Sequence, residues 1–151
     1  MKIKNLIVLG LLVLLVTSIA ACQATPPEIF VDDAWGRSSP KVATAGAFYM
    51  VIRNAGGEAD KLVSASSDAC GTVELHESYD KGDGVMGMRE VPDGFIEVPA
   101  NGEVELKMGG LHIMCIDKLS NFDAGNVFSL TLNFEKTGEK QIDVPIKMPD
   151  M

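Results

Sequence analysis

His112 and Met114 stand one residue apart in the run Gly109-Gly110-Leu111-His112-Ile113-Met114-Cys115. In a strand, side chains two apart share a face, so an imidazole and a thioether would project side by side. Leu111, Ile113 and Cys115 would then point the other way, into a core. A nitrogen donor beside a soft sulfur donor suits a soft metal ion such as Cu(I). The only other histidine, His76, lies in the alternating run Gly71-Thr72-Val73-Glu74-Leu75-His76-Glu77. There Val73 and Leu75 face inward and His76 outward. Met86 and Met88 fall between the two histidines, two apart and so on one face. Two neutral imidazoles and two thioethers form a tetrahedral donor set for Cu(I), whereas zinc would be expected to recruit cysteine or carboxylate. Thioethers also bind copper without being lost to disulfide formation, as paired thiols would be outside the cytoplasm. Each residue has a blander reading, because strand-end histidines are commonly surface residues and methionines commonly fill cores. The spacing alone leaves both readings open.

The elements that would position these residues read as strands. Ile29-Phe30-Val31 with Ala34-Trp35-Gly36-Arg37, Gly46 to Arg53, Asp60 to Ser66, Gly71 to Glu77, Val85 to Val91, Phe95 to Pro99, Glu103 to Lys107 and Leu111 to Ile116 follow one another, separated by turn-forming clusters. Asn126 to Phe134 and Glu139 to Ile146 form a closing antiparallel pair across Thr137-Gly138. Short strands, frequent turn signals and no amphipathic helix predict an all-β Greek-key β-sandwich.

The N-terminus is a separate matter. Lys2 and Lys4 precede an apolar run from Leu6 to Val16, and Ile19-Ala20-Ala21-Cys22 follows. The run is too short to span a bilayer and has the order of a secretory signal, residues 1–21. Its end resembles a bacterial lipobox, which would make Cys22 a lipid-bearing first residue that anchors the exported protein on the extracytoplasmic side of the membrane. Residues 22–28, with Pro26-Pro27, are expected as a tether, and residues 29–147 as one domain. Two of the 13 basic residues and none of the 21 acidic ones precede Cys22, so the remainder carries a net charge of about −10. A nucleic-acid partner is not expected of such a surface. Cys70 and Cys115 remain as an even pair in an oxidising compartment. Their simplest fate is one disulfide between strands; two buried thiols, or Cys115 as a metal ligand, are the rivals.

The same residues carry a family resemblance. His76, then Met88 after eleven intervening residues, then His112 and Met114 after 23 more, stand in the order of the periplasmic copper chaperones called PCu(A)C. Ala34-Trp35-Gly36-Arg37, Ala45-Gly46-Ala47-Phe48-Tyr49, Val73-Glu74-Leu75-His76-Glu77, Val85-Met86-Gly87-Met88-Arg89 and Gly109-Gly110-Leu111-His112-Ile113-Met114 also resemble that family in sequence and order. The resemblance spans about residues 29 to 147. It implies a cupredoxin-like fold and Cu(I) ligation by His76, Met88, His112 and Met114, with Met86 as a neighbouring or substitute ligand. It also implies delivery of copper to a respiratory protein such as the CuA subunit of cytochrome c oxidase or its assembly factor. The sequence departs from the family at Met108, where many members have proline, and in a slightly longer Met88-to-His112 interval. No enzyme motif is present, so no catalysis is expected, and a monomer is expected. The alternatives are a blue-copper electron carrier using Cys115, a copper buffer without a dedicated recipient, and a metal-free interaction sandwich on a lipid anchor.

Overall fold

The computed structural model describes residues 24–148. The expected signal segment and Cys22 lie outside them. Ten strands run through the described residues, among which there is no helix: β1 Ile29–Arg37, β2 Gly46–Asn54, β3 Asp60–Ser66, β4 Cys70–Asp80, β5 Met86–Glu90, β6 Ile96–Val98, β7 Gly102–Leu106, β8 Leu111–Lys118, β9 Val127–Phe134 and β10 Gly138–Lys147. Their hydrogen-bonded order is β5-β4-β8-β2-β1-β10-β9-β3-β6, with β7 also paired to β2.

The path folds into two layers. One holds β5, β4, β8, β2, β7 and β1; the other holds β10, β9, β3 and β6. A short parallel pairing, Gly36 with Ile146 and Arg37 with Lys147, joins them. Alternate residues of each strand point into the space between. Phe48 and Ile52 of β2 and Ile113 and Cys115 of β8 therefore share one core with Leu62 of β3, Leu130 and Leu132 of β9, and Val144 of β10. The chain changes layer between β2 and β3, β3 and β4, β5 and β6, β6 and β7, and β8 and β9. These crossings are what a Greek-key sandwich requires. The expected closing pair is present, in register from Gly138 opposite Phe134 to Pro145 opposite Val127. The turn between them is anchored by buried Asp60, whose carboxylate accepts from the backbone N–H groups of Lys136 and Thr137.

Three local features shape the site. First, β7 and β8 both run antiparallel to the same edge of β2, with Leu106 opposite Met50 and Ile113 opposite Phe48. Tyr49 alone therefore faces the whole excursion of residues 107 to 112. A tight turn takes up the extra chain: Gly110 N–H donates to the Lys107 carbonyl at 3.0 Å, and Lys107 N–H donates to the Leu111 carbonyl at 2.8 Å. Gly109 sits at φ 77°, which favours glycine. Second, Cys70 and Cys115 are joined in a disulfide, Cα to Cα 5.4 Å, linking β4 to β8 on the core side. Third, residues 25–28, expected as tether, are docked on the turn after β2. Glu28 N–H donates to Asn54 Oδ1, Gly57 N–H donates to Thr25 Oγ1, and Glu58 N–H donates to the Thr25 carbonyl. Residues 25–28 are thus held by the domain rather than free of it, because Thr25 and Glu28 find hydrogen-bond partners there.

Candidate metal centre

Strands β4 and β8 pair so that His76 lies directly opposite His112, and Glu74 opposite Met114. The imidazole centroids are 5.8 Å apart and the rings meet edge to face at 65°. On the outer side of β4, Met88 of β5 lies opposite Ser78, and Met86 lies opposite Asp80. On the other side of β8, Ala47 lies opposite Met114, and the Tyr49 ring is centred 6.3 Å from His112. By strand parity the two histidines, Met86, Met88 and Met114 occupy one face of this layer. Ile113 and Cys115 occupy the other and are fully buried.

Depth on that face is uneven. His112 is only 3 % exposed, whereas Met88 is 62 % and Met86 58 % exposed. Parity turned His112 away from the core; in the structure its imidazole is nonetheless covered. Tyr49 and the turn of residues 107–110 close over it because the β7–β8 excursion folds back along β2. A cavity of about 360 Å³ opens beside it, walled in part by Arg37, Tyr49, Met88, Met108, His112 and Met114. His76 lies behind His112 and does not line this cavity. Alanine at position 47, facing Met114, helps keep the space open.

The ring nitrogens carry the chemical information. His112 Nδ1 is 3.0 Å from the Gly110 carbonyl, which can only accept, so Nδ1 bears the proton. His76 Nε2 is 2.8 Å from Glu74 Oε2, a carboxylate, so here Nε2 bears it. In its neutral form each ring is left with one lone-pair nitrogen, His112 Nε2 and His76 Nδ1. Both atoms are buried and neither has a hydrogen-bond partner. Buried polar atoms are seldom left so. A ligating histidine commonly donates its second N–H to a carboxylate or backbone carbonyl, as both rings do here. Burial pushes the His112 pKa below its usual 6.5; the Gly110 contact works against this and neighbouring His76 adds to it. The ring is thereby kept in its neutral, ligand-competent form.

The far face of β5 holds Met88 in place. Arg89 Nε donates to Glu77 Oε1 at 2.8 Å and its guanidinium lies 4.5 Å from the centre of the Tyr79 ring. Gly87 leaves room for that ring, since a Cβ there would come within 2.9 Å of it. This clamp steadies an edge strand that otherwise pairs on one side only.

Other metal chemistries find less support in this arrangement. Among the described residues no group of three or more His, Cys, Asp or Glu side chains is arranged to hold a metal ion. Cys115, in its disulfide, supplies no thiolate for a blue-copper arrangement. Glu74, Tyr49 and Met108 stand among the residues compared with the family, but the sequence assigned none of them to the site. Only Glu74 carried a usable signal, as an acid two residues before His76 and therefore on its face.

The fold is shared with solved copper-protein domains. The apo PCuAC domain from PmoF1 superposes with a TM-score of 0.69 at 26 % identity, covering 82 % of this chain and 97 % of that one. The solution structure of CuI-DR1885 from Deinococcus radiodurans superposes with a TM-score of 0.63 at 23 % identity, covering 85 % of this chain and 83 % of that one. The chain is thus an all-β, cupredoxin-like domain of the PCuAC type. Residues 29–146 match the family described as "Putative lipoprotein LpqE-like", and the chain belongs to that family. Among curated relatives, "Putative lipoprotein Lxx21020" of Leifsonia xyli subsp. xyli is 32 % identical over 117 residues, covering 78 % of this chain and 68 % of the relative.

Proposed function

We propose that the protein binds one Cu(I) ion through His76 Nδ1, His112 Nε2, Met88 Sδ and Met114 Sδ, and carries it to a respiratory copper protein. The observation that carries this reading is the pair of buried, unpartnered imidazole nitrogens, each on a ring whose other nitrogen is already held. Two neutral nitrogens and two thioethers match the preference of Cu(I) for soft, uncharged donors. The solved neighbours named for the PCuAC domain and for CuI add support. Met86 serves as a neighbour rather than a ligand, because it is one strand repeat further from the histidines.

The role is carriage rather than catalysis. Buried His112 and largely covered His76 hold the ion from one side while Met88, exposed on an edge strand, meets a recipient's donors. Copper then passes by stepwise ligand replacement without being released free. Lipid on Cys22 would keep the domain at the extracytoplasmic membrane surface, close to recipients such as the CuA subunit of cytochrome c oxidase or its assembly factor. Titration of the domain with Cu(I) against a competing chelator tests the binding. One ion per chain is expected, with loss of high-affinity binding after His112→Ala plus Met114→Ala. Unchanged affinity in that double variant rejects the site. Anaerobic mixing of the loaded protein with an apo CuA domain tests delivery; retention of copper by the carrier rejects it.

A further inference from the structure

Met108 belongs to neither the core nor the four-donor set, yet it lines the same cavity as Met88, His112 and Met114. It is 47 % exposed. It stands on the turn between β7 and β8, next to Gly109 at φ 77° and inside the loop closed by the Lys107–Leu111 and Gly110–Lys107 hydrogen bonds. A large apolar side chain at an exposed turn gains little from burial. What it supplies is a flexible, polarisable thioether at the rim of a cavity whose walls hold two others.

We infer that Met108 is a handover ligand for copper, an inference that rests on the function proposed above. The four donors satisfy a tetrahedral Cu(I) ion, so a fifth donor matters only while coordination is changing. As the bond from copper to Met88 Sδ breaks, a bond to Met108 Sδ forms, and the reverse occurs on loading. Copper stays Cu(I), both sulfurs stay neutral, and no proton moves. Met88 is the donor replaced because it is the most exposed of the four and sits on an edge strand, whereas His112 is fixed in the cavity wall with His76 behind it. The turn leaves Met108 free of the strand ladder, so it can follow the ion outward.

A transient ligand alters rates without altering equilibrium. Stopped-flow extraction of Cu(I) by bathocuproine disulfonate, and the reverse loading reaction, should both slow about fivefold in Met108→Leu, while the equilibrium affinity stays within about twofold of wild type. Leucine keeps the size and apolarity of the side chain, and an unchanged thermal midpoint certifies the fold. Wild-type rates in Met108→Leu overturn the inference. So does an affinity loss as large as that of Met88→Leu, which would make Met108 a resident ligand. A wild-type protein that takes up no Cu(I) overturns the proposed function and this inference with it. Binding by wild type with unchanged exchange in the variant overturns this inference alone.

Discussion

His76 and His112 oppose each other across the β4–β8 ladder, 5.8 Å between ring centroids, with Glu74 holding one ring and the Gly110 carbonyl the other. The two rings use different nitrogens for these contacts, so different nitrogens are left open: Nδ1 on His76 and Nε2 on His112. The tautomers are set by these neighbours. A metal site built as proposed on the two rings would need little rearrangement on binding.

The Glu74 contact yields the first prediction. Removing an outer partner of a ligating histidine typically costs 10- to 100-fold in metal affinity. Glu74→Ala should weaken Cu(I) binding by about tenfold or more. The change should leave the fold intact, since the carboxylate lies at a half-covered surface position. Glu105→Ala, which removes a solvent-exposed ion pair on β7, should leave affinity unchanged. Chelator competition on the two variants, side by side, decides the matter.

The strands and their facing were legible in the sequence because both follow from local rules. Alternation in residues 71–77 and 111–116 is a period-two signal, and the turn residues around it are strong punctuation. Parity alone put His76, His112, Met114 and the pair Met86 and Met88 on one face and removed Cys115 from it; the choice of Met88 came from the family resemblance. What could not be read was depth. His112 is buried because residues 107–112 have no partner on β2 except Tyr49, and that depends on β7 and β8 sharing an edge of β2. Long-range pairing of this kind leaves no mark on local periodicity. The parallel contact of Gly36 with Ile146 was hidden for the same reason.

Acid should weaken the apo domain in two stages. His112 is held below 6.5 chiefly by burial, so the folded state binds fewer protons there than the unfolded state. Its contribution to stability is therefore lost as pH falls through 6.5 towards the folded value, and levels off below that. Asp60 gives the second stage. Burial works to raise its pKa, but the Thr137 hydroxyl and the N–H groups of Lys136, Lys61 and Thr137 outweigh it and leave the carboxylate below 3.8. That contribution is complete above 3.8 and is lost as pH falls through the folded value. Urea midpoints measured from pH 7.5 to 2.5 should show both declines, and His112→Gln should abolish only the first. Cu(I) affinity should also fall on acidification, because a proton on His112 Nε2 excludes the metal.

The disulfide should matter for stability but not for ligation. It joins the strands that bear the two histidines, yet it does so from the core face. With a sequence separation of 45, a chain-entropy estimate puts its contribution at about 4 kcal/mol. Cys70→Ala plus Cys115→Ala should lower the unfolding free energy by about 2–4 kcal/mol. The folded fraction should still bind one Cu(I). A variant that retains its fold but loses copper would show Cys115 to be a ligand, and would undo the parity argument.

The methionines offer a sharper test, because four of them differ in depth and register while sharing one chemistry. Met88 and Met86 are both exposed and both lie on the outer face of β5, so neither burial nor parity separates them. Register does: Met88 lies opposite Ser78, one repeat from His76, and Met86 lies opposite Asp80, two repeats away. One repeat along a strand is about 7 Å. A single ion held by His76 and His112 therefore reaches Met88 far more readily than Met86. Met114 lies beside His112 on β8, whereas Met50 is 2 % exposed in the core. With the methionine methyl groups labelled with ¹³C, one equivalent of Ag(I), a redox-silent stand-in for Cu(I), should shift the resonances of Met88 and Met114. Those of Met86 and Met50 should stay in place. A shift at Met86 with Met88 unmoved would reassign the fourth ligand, and Met88→Leu should then bind as tightly as wild type.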